Sequence, residues 1–256
     1  MAFKNILYAE QNKIAEVTLN RPEKMNSLDE TLIAELTQLF KDISSNDKVK
    51  VVILTGAGGN FCSGLYLDYL QKISEFDLQQ NRDDSRRFKD MLLSVYSCKK
   101  PVIAKVSGYA LAGGCGLASA CDIIVADDTA KFGYTEVKIG FIPAIVMMFL
   151  LKRVTETHAK DLLLTARFIG SEEAHRIGFI NYSVKKEEVN GKVKDVCEQL
   201  MKNSANSIAL TKEMFCNISN MHVEDALEYA CDLNAKTRMT DDCKKGVAEF
   251  LNKNKK

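Results

Sequence analysis

The sequence predicts an α/β fold: βα units whose sheet is covered by helices, followed by a helical C-terminal subdomain. Three observations carry this. β-branched runs alternate with amphipathic helical stretches over about the first 180 residues. Gly, Pro or Asp bounds those runs. From about Lys186 onward the strand signals stop. The expected division is therefore an α/β core over 1–185 and a helical subdomain over 186–256.

Each element follows from local pattern. Ile14-Ala-Glu-Val-Thr-Leu19 alternates apolar and polar residues and reads as a strand. Ser27-Leu-Asp-Glu30 has capping-box spacing and predicts a helix from Leu28 to about Ser44, with Leu32, Leu36, Leu39 and Phe40 on one face. Val49 to Thr55 is the next strand. A helix over Asp83 to Cys98 buries Phe88, Met91, Leu92 and Val95, and Pro101 prevents its continuation. Strands follow at Val102 to Val106 and Ile123 to Ala126. Beyond Lys186 lie three or four helices, with Met201, Leu210, Met214, Leu227, Leu233 and Phe250 on their apolar faces.

Composition excludes several classes. At 46% apolar and 27% charged residues the chain is not disordered. Its 35 basic and 34 acidic residues leave no global positive field for nucleic acid. The longest apolar run, Ile139 to Leu151, is broken by Gly140 and Pro143 and falls short of a membrane span. Met1-Ala-Phe-Lys-Asn lacks the charged and apolar regions of a signal peptide, so a cytoplasmic protein is expected. Its eight cysteines form no CxxC pair and have no neighbouring histidine, which predicts reduced, mostly buried thiols and no metal site.

Two glycine-rich turns each follow a predicted strand: Thr55-Gly-Ala-Gly-Gly-Asn-Phe-Cys-Ser-Gly-Leu65 and Gly108-Tyr-Ala-Leu-Ala-Gly-Gly-Cys-Gly116. Neither has the lysine of a phosphate-binding loop or the spacing of a dinucleotide fingerprint. Gly113-Gly114 falls where a helix should begin, and the N-terminus of a helix aims free N–H groups outward. With the amide of Leu65 it would form two donors converging on one carbonyl oxygen, which stabilises the charge of an enolate. The same glycines also serve tight turns and close helix packing.

At this point the residues resemble a family. Phe61-Cys-Ser-Gly-Leu-Tyr-Leu67, Pro101-Val-Ile-Ala-Lys-Val-Ser-Gly-Tyr-Ala-Leu-Ala-Gly-Gly-Cys115, Cys121-Asp-Ile-Ile-Val-Ala-Asp127 and Lys131-Phe-Gly-Tyr-Thr-Glu-Val-Lys-Ile-Gly-Phe-Ile-Pro143 are similar to successive signatures of the crotonase (enoyl-CoA hydratase/isomerase) superfamily. Asn20 to Asn26, Ser171 to Gly178 and Lys245 to Lys253 extend the match over nearly the whole chain. The resemblance implies a crotonase-like spiral of βαβ units that carries an acyl-CoA. It also implies C-terminal helices that build a homotrimer or a dimer of trimers. It makes Leu65 and Gly113 the oxyanion donors and Glu136 the proton-transfer group. CoA contacts would come from Lys24, Met25, Phe250 and Lys253, and no cofactor would be held permanently, CoA being part of the substrate. Ser63, Tyr66 and Asp68, in and after the first glycine turn, are further candidates for contact with CoA or its acyl chain, packing and solvation being their ordinary alternatives.

The common hydratases of this family carry two glutamates. Here the second is Glu136, while the first position is Gly116. The stretch Glu136 to Leu151 also lacks the Pro-Gly-x-Gly-Gly-Thr-Gln run of those enzymes and more closely resembles 3-methylglutaconyl-CoA hydratases, whose substrate carries a distal carboxylate. Hydration or dehydration of a branched enoyl-CoA is thus the leading expectation. A single-glutamate isomerase that shifts a double bond, or a CoA-binding subunit of reduced activity, are the alternatives. Gly116→Glu is expected to raise water addition to a straight-chain substrate. His158, His175 and His222 lie in predicted helices outside the motifs.

Overall fold

The computed structural model describes residues 3–219 and 221–253. Strands β1 (Ile6–Gln11) and β2 (Ile14–Leu19) form an antiparallel hairpin. Asn12 and Lys13 turn it with φ of 53° and 64°. Sequence pattern shows only its second strand, because Asn-Lys lacks the glycine that marks such a turn.

Helix α1 (Glu30–Ser45) begins two residues later than its sequence pattern predicts, and Asp29, not Ser27, is its cap, accepting from the Leu32 N–H at 2.9 Å. The reason lies in tertiary pairing. Leu28 is held extended by a parallel bridge to Leu65, its N–H donating to the Gly64 carbonyl at 2.7 Å, so the helix cannot start there. Strand β3 (Val51–Gly56) is followed by α2 (Leu67–Ser74) and α3 (Leu78–Tyr96). Helix α3 starts ahead of Asp83 because Asp77 and Gln80 form a reciprocal capping box.

Next come β4 (Val102–Val106), β5 (Tyr109–Leu111), α4 (Gly113–Ala120), β6 (Ile123–Asp127) and β7 (Lys131–Gly133). A 3-10 turn over Glu136–Ile139 leads to α5 (Ala144–Leu150), α6 (Glu156–Thr165), β8 (Ile169–Gly170), α7 (Ser171–Arg176) and β9 (Tyr182–Val184). Four helices complete the described chain: α8 (Val189–Lys202), α9 (Ala205–Ile218), α10 (Val223–Arg238) and α11 (Asp241–Lys253).

The six-stranded sheet runs β1-β2-β3-β4-β6-β9 and is parallel except for β1, and a three-stranded sheet runs β5-β7-β8. Alternation along the parallel strands divides the core. Val52, Leu54, Val102, Ala104, Ile124 and Ala126 face the main core with α1 and α3. Val51, Ile103 and Val125 face the other way, against Val189, Val193, Val196 and Cys197 of α8. No helix among the described residues is long and apolar enough to cross a membrane.

Candidate active site

Strands β4 and β6 of the large sheet continue into β5 and β7 of the small one, and the chain after β3 reaches the same small sheet at Cys62. Cys62 pairs with Ala110 across a parallel bridge, and Ala110 pairs in register with Phe132 of β7. Leu65 lies three residues past Cys62, Gly113 three past Ala110, and Glu136 four past Phe132. Three residues far apart in sequence therefore occupy equivalent stations beyond one rung of adjacent segments. That register brings the two glycine turns and the Glu136 segment alongside one another.

The first turn ends at Gly64, whose φ of 90° is open to glycine at no steric cost. In the Leu28–Leu65 bridge it is the neighbours of Leu65 that bond: the Gly64 carbonyl accepts from Leu28, and the Tyr66 N–H donates to the Leu28 carbonyl at 2.8 Å. The amide of Leu65 itself points away from the bridge and has no acceptor among the described residues. A methyl built on Gly64 would lie 3.4 Å from the Gly113 nitrogen, so the two turns abut. Gly113 opens α4, and its N–H likewise has no acceptor among the described residues. Gly114 must be glycine, because a side chain there would strike the Cys62 carbonyl group.

Ala112, just before Gly113, holds φ 47° and ψ −119°, a conformation that strains a residue with a Cβ. It is pinned on both sides: its N–H donates to the Gly133 carbonyl at 2.7 Å, and its carbonyl accepts from the Gly116 N–H at 3.1 Å. Nothing in local sequence announces this residue.

Glu136 is 8% exposed at the head of its 3-10 turn, and its Oε2 is buried without a hydrogen-bond partner among the described residues. Burial lifts its carboxyl above the usual glutamate range. Burial above all, with a smaller contribution from the Glu136 carboxylate, raises the Cys115 thiol on α4. Cys62 and Cys115 are fully buried with raised pKa values and are poor nucleophiles. A buried base beside two free amides can move a proton at a carbon adjoining a polarised carbonyl.

Gly116 does not leave a vacancy for a second carboxylate. Any side chain at this position would collide with Val146 of α5, whose Cβ is 3.0 Å from the added atom, with Leu92 Cδ1 at 3.6 Å. Val146 is 2% exposed and fills this space with hydrocarbon. A glutamate side chain at position 116 would therefore need Val146 to move, which works against the expectation that Gly116→Glu alone would gain activity. Val146 lies in an apolar run that gives no sign of its pairing with Gly116.

The remaining candidates divide. Lys24 stacks its ammonium 4.2 Å above the Tyr66 ring, and Arg21 approaches the same ring at 5.5 Å. The Ser63 N–H donates to the Met25 carbonyl at 3.1 Å, so Lys24, Met25, Ser63 and Tyr66 form one cluster beside the first glycine turn. Asp68 is exposed in the first turn of α2. Phe250 is 67% exposed on α11 and belongs to neither apolar core. The Lys253 side chain and the rest of the basic tail lie outside the described residues. His158 and His175 sit on α6 and α7 and His222 at the start of α10, away from these turns. A cleft of about 1000 Å³ between α9 and the body, lined by Tyr96, Arg153, Lys212 and Phe215 among others, contains none of the candidates.

Solved structures share this winding of βα units, and comparison with known proteins gives the family. The enoyl-CoA hydratase/isomerase family model matches residues 9–256. The chain is 38% identical over 248 residues to a putative enoyl-CoA hydratase of Thermus thermophilus, covering 97% of this chain and 98% of that one. It is 32% identical to the crotonyl-CoA hydratase of Syntrophomonas wolfei, covering 100% and 98%. The structure superposes on the crystal structure of an enoyl-CoA hydratase from Mycobacterium smegmatis with a TM-score of 0.93, 26% identity and coverage of 98% and 97%. The chain is an enzyme of the enoyl-CoA hydratase/isomerase family, with the crotonase fold.

Proposed function

We propose that this enzyme adds water to, or removes it from, an enoyl-CoA through a thioester enolate. The observation that carries this is the buried, unpartnered carboxylate oxygen of Glu136 on a segment in register with those that carry the free amides of Leu65 and Gly113. In hydration, Glu136 takes a proton from water as the water oxygen bonds to C3. The two amides hold the charge that moves to the thioester oxygen, and Glu136 returns the proton to C2. Lys24, Met25, Ser63, Tyr66, Asp68, Phe250 and Lys253 are assigned to CoA and the start of its acyl chain.

The finer reading is a branched substrate that carries its own distal carboxylate, of the 3-methylglutaconyl-CoA type. Val146 favours it: where a second protein carboxylate would steady the water there is hydrocarbon, so the substrate must supply the polar group. The same observation favours a second reading, a one-base isomerase in which Glu136 takes a proton from C2 of a 3-enoyl-CoA and returns it to C4. We assign the core to 1–185 and the oligomer-building helices to 186–256, in a cytoplasmic homotrimer or dimer of trimers.

A panel of acyl-CoAs followed by mass spectrometry tests the function. A 3-methylglutaconyl-type thioester should gain the mass of water faster than a straight-chain 2-enoyl-CoA. Rapid conversion of 3-enoyl- to 2-enoyl-CoA without mass change, and none of the branched thioester, would establish the isomerase reading instead.

A further inference from the structure

Two amides can share one oxygen only if the segments that carry them hold a fixed separation. Gly113 is fixed by α4, every residue of which is buried. Leu65 is held from one side by its bridge to Leu28. It stands at the root of α2, an eight-residue helix whose only buried side chains are Tyr69 and Ile73 and whose N-cap residue, Tyr66, makes no side-chain cap.

Helix α2 is tied down from one side by Tyr69. Its hydroxyl donates to Asp84 of α3, and Tyr69 makes the only side-chain hydrogen bonds between α2 and α3 among the described residues. Tyr69 and Asp84 are 6% and 8% exposed. Arg87, one turn further along α3, reaches the same carboxylate at 3.3 Å and balances its charge. Burial and the Asp84 carboxylate hold the Tyr69 phenol above its usual range, so it stays a donor.

The position of this pair is what gives it meaning. Tyr69 is four residues past Leu65, in the first turn of α2, with the extended N-cap residue Tyr66 leading into that helix. Asp84 is one turn before Phe88, whose ring lies 3.2 Å from where a side chain on Gly113 would begin. The pair thus connects the segment of one amide to the helix packed against the other.

We propose that the Tyr69–Asp84 hydrogen bond is a positioning device that sets the Leu65 amide against the Gly113 amide, Tyr69 and Asp84 touching no reacting atom. This rests on the oxyanion reading above. In Tyr69→Phe the ring and its packing remain and only the donor is lost. In Asp84→Asn an amide carbonyl still accepts from the phenol.

Acetoacetyl-CoA, a β-keto thioester whose enolate absorbs in the near ultraviolet, reports carbonyl polarisation whatever the physiological reaction. Wild type should shift bound acetoacetyl-CoA toward the enolate. Tyr69→Phe should lose most of that absorbance and about tenfold in kcat, with KM within about twofold and thermal unfolding little changed. Asp84→Asn should recover most of both. Full enolate absorbance and kcat in Tyr69→Phe would overturn the proposal, as would an equal loss in Tyr69→Phe and Asp84→Asn that tracks falling stability. Absence of the enolate band in wild type would overturn the oxyanion reading itself, and this proposal with it.

Discussion

Glu136 sits where burial disfavours its charge, and that fixes both its chemistry and its cost. Glu136→Gln keeps the volume and removes the base, so turnover should fall about 10²-fold or more with acyl-CoA affinity little changed. Unchanged steady-state turnover would move the chemistry to another residue. Stability should respond in the opposite sense. Below the ordinary glutamate pKa both folded and unfolded chains are protonated, and Glu136 costs nothing. As pH rises from there to its raised value, the unfolded chain releases its proton first and folding weakens; above that value the loss is constant. The Gln variant should therefore melt higher than wild type at about pH 7.5 and level with it at about pH 4. Activity should decline on acidification at a pH above the usual glutamate range. At Ala112, φ 47° stores strain next to Gly113, the proposed oxyanion donor. Ala112→Gly relieves it and should stabilise the fold by up to about 1 kcal/mol, read from chemical denaturation.

Between elements, the contact of α4 with α5 governs whether a side chain can be added at position 116. Glycine at 116 lets Val146 approach α4 closely. Gly116→Glu alone both overpacks this contact and buries a charge, so it should destabilise by about 2–3 kcal/mol and lower activity. Combined with Val146→Ala, which opens the space, the new carboxylate can steady a water, and hydration of a straight-chain 2-enoyl-CoA should rise at least about tenfold over wild type. A double variant that folds, binds the thioester and gains nothing would show that the missing carboxylate does not limit water addition.

For the whole molecule, the last three helices are the part that does not close on itself. Leu233 is the one buried residue on α10, none is buried on α9, and Phe215, Leu227, Met239 and Phe250 are 65%, 60%, 72% and 67% exposed. So much apolar surface on one arm calls for a partner, and light scattering should report a trimer or hexamer. Leu227→Glu, costing a single chain little because the site is exposed, should shift that assembly toward monomer. A fully active monomeric wild type would sink this expectation.

The sequence by itself determined the alternating core, the helical C-terminal region and the three segments that the proposed site joins, because β-branched runs, amphipathic periodicity and glycine turns are local properties. Phe61 to Leu65, Gly108 to Gly116 and Phe132 to Glu136 could each be read on their own. Only the tertiary structure decided what depends on pairing between distant segments. The bridge from Leu28 to Leu65 moved the start of α1 to Asp29, and the short strands β5, β7, β8 and β9 exist because neighbours hold their hydrogen bonds. The filling of the Gly116 site by Val146, the strain at Ala112 and the tie from Tyr69 to Asp84 were likewise invisible, since each is a contact or conformation imposed by packing.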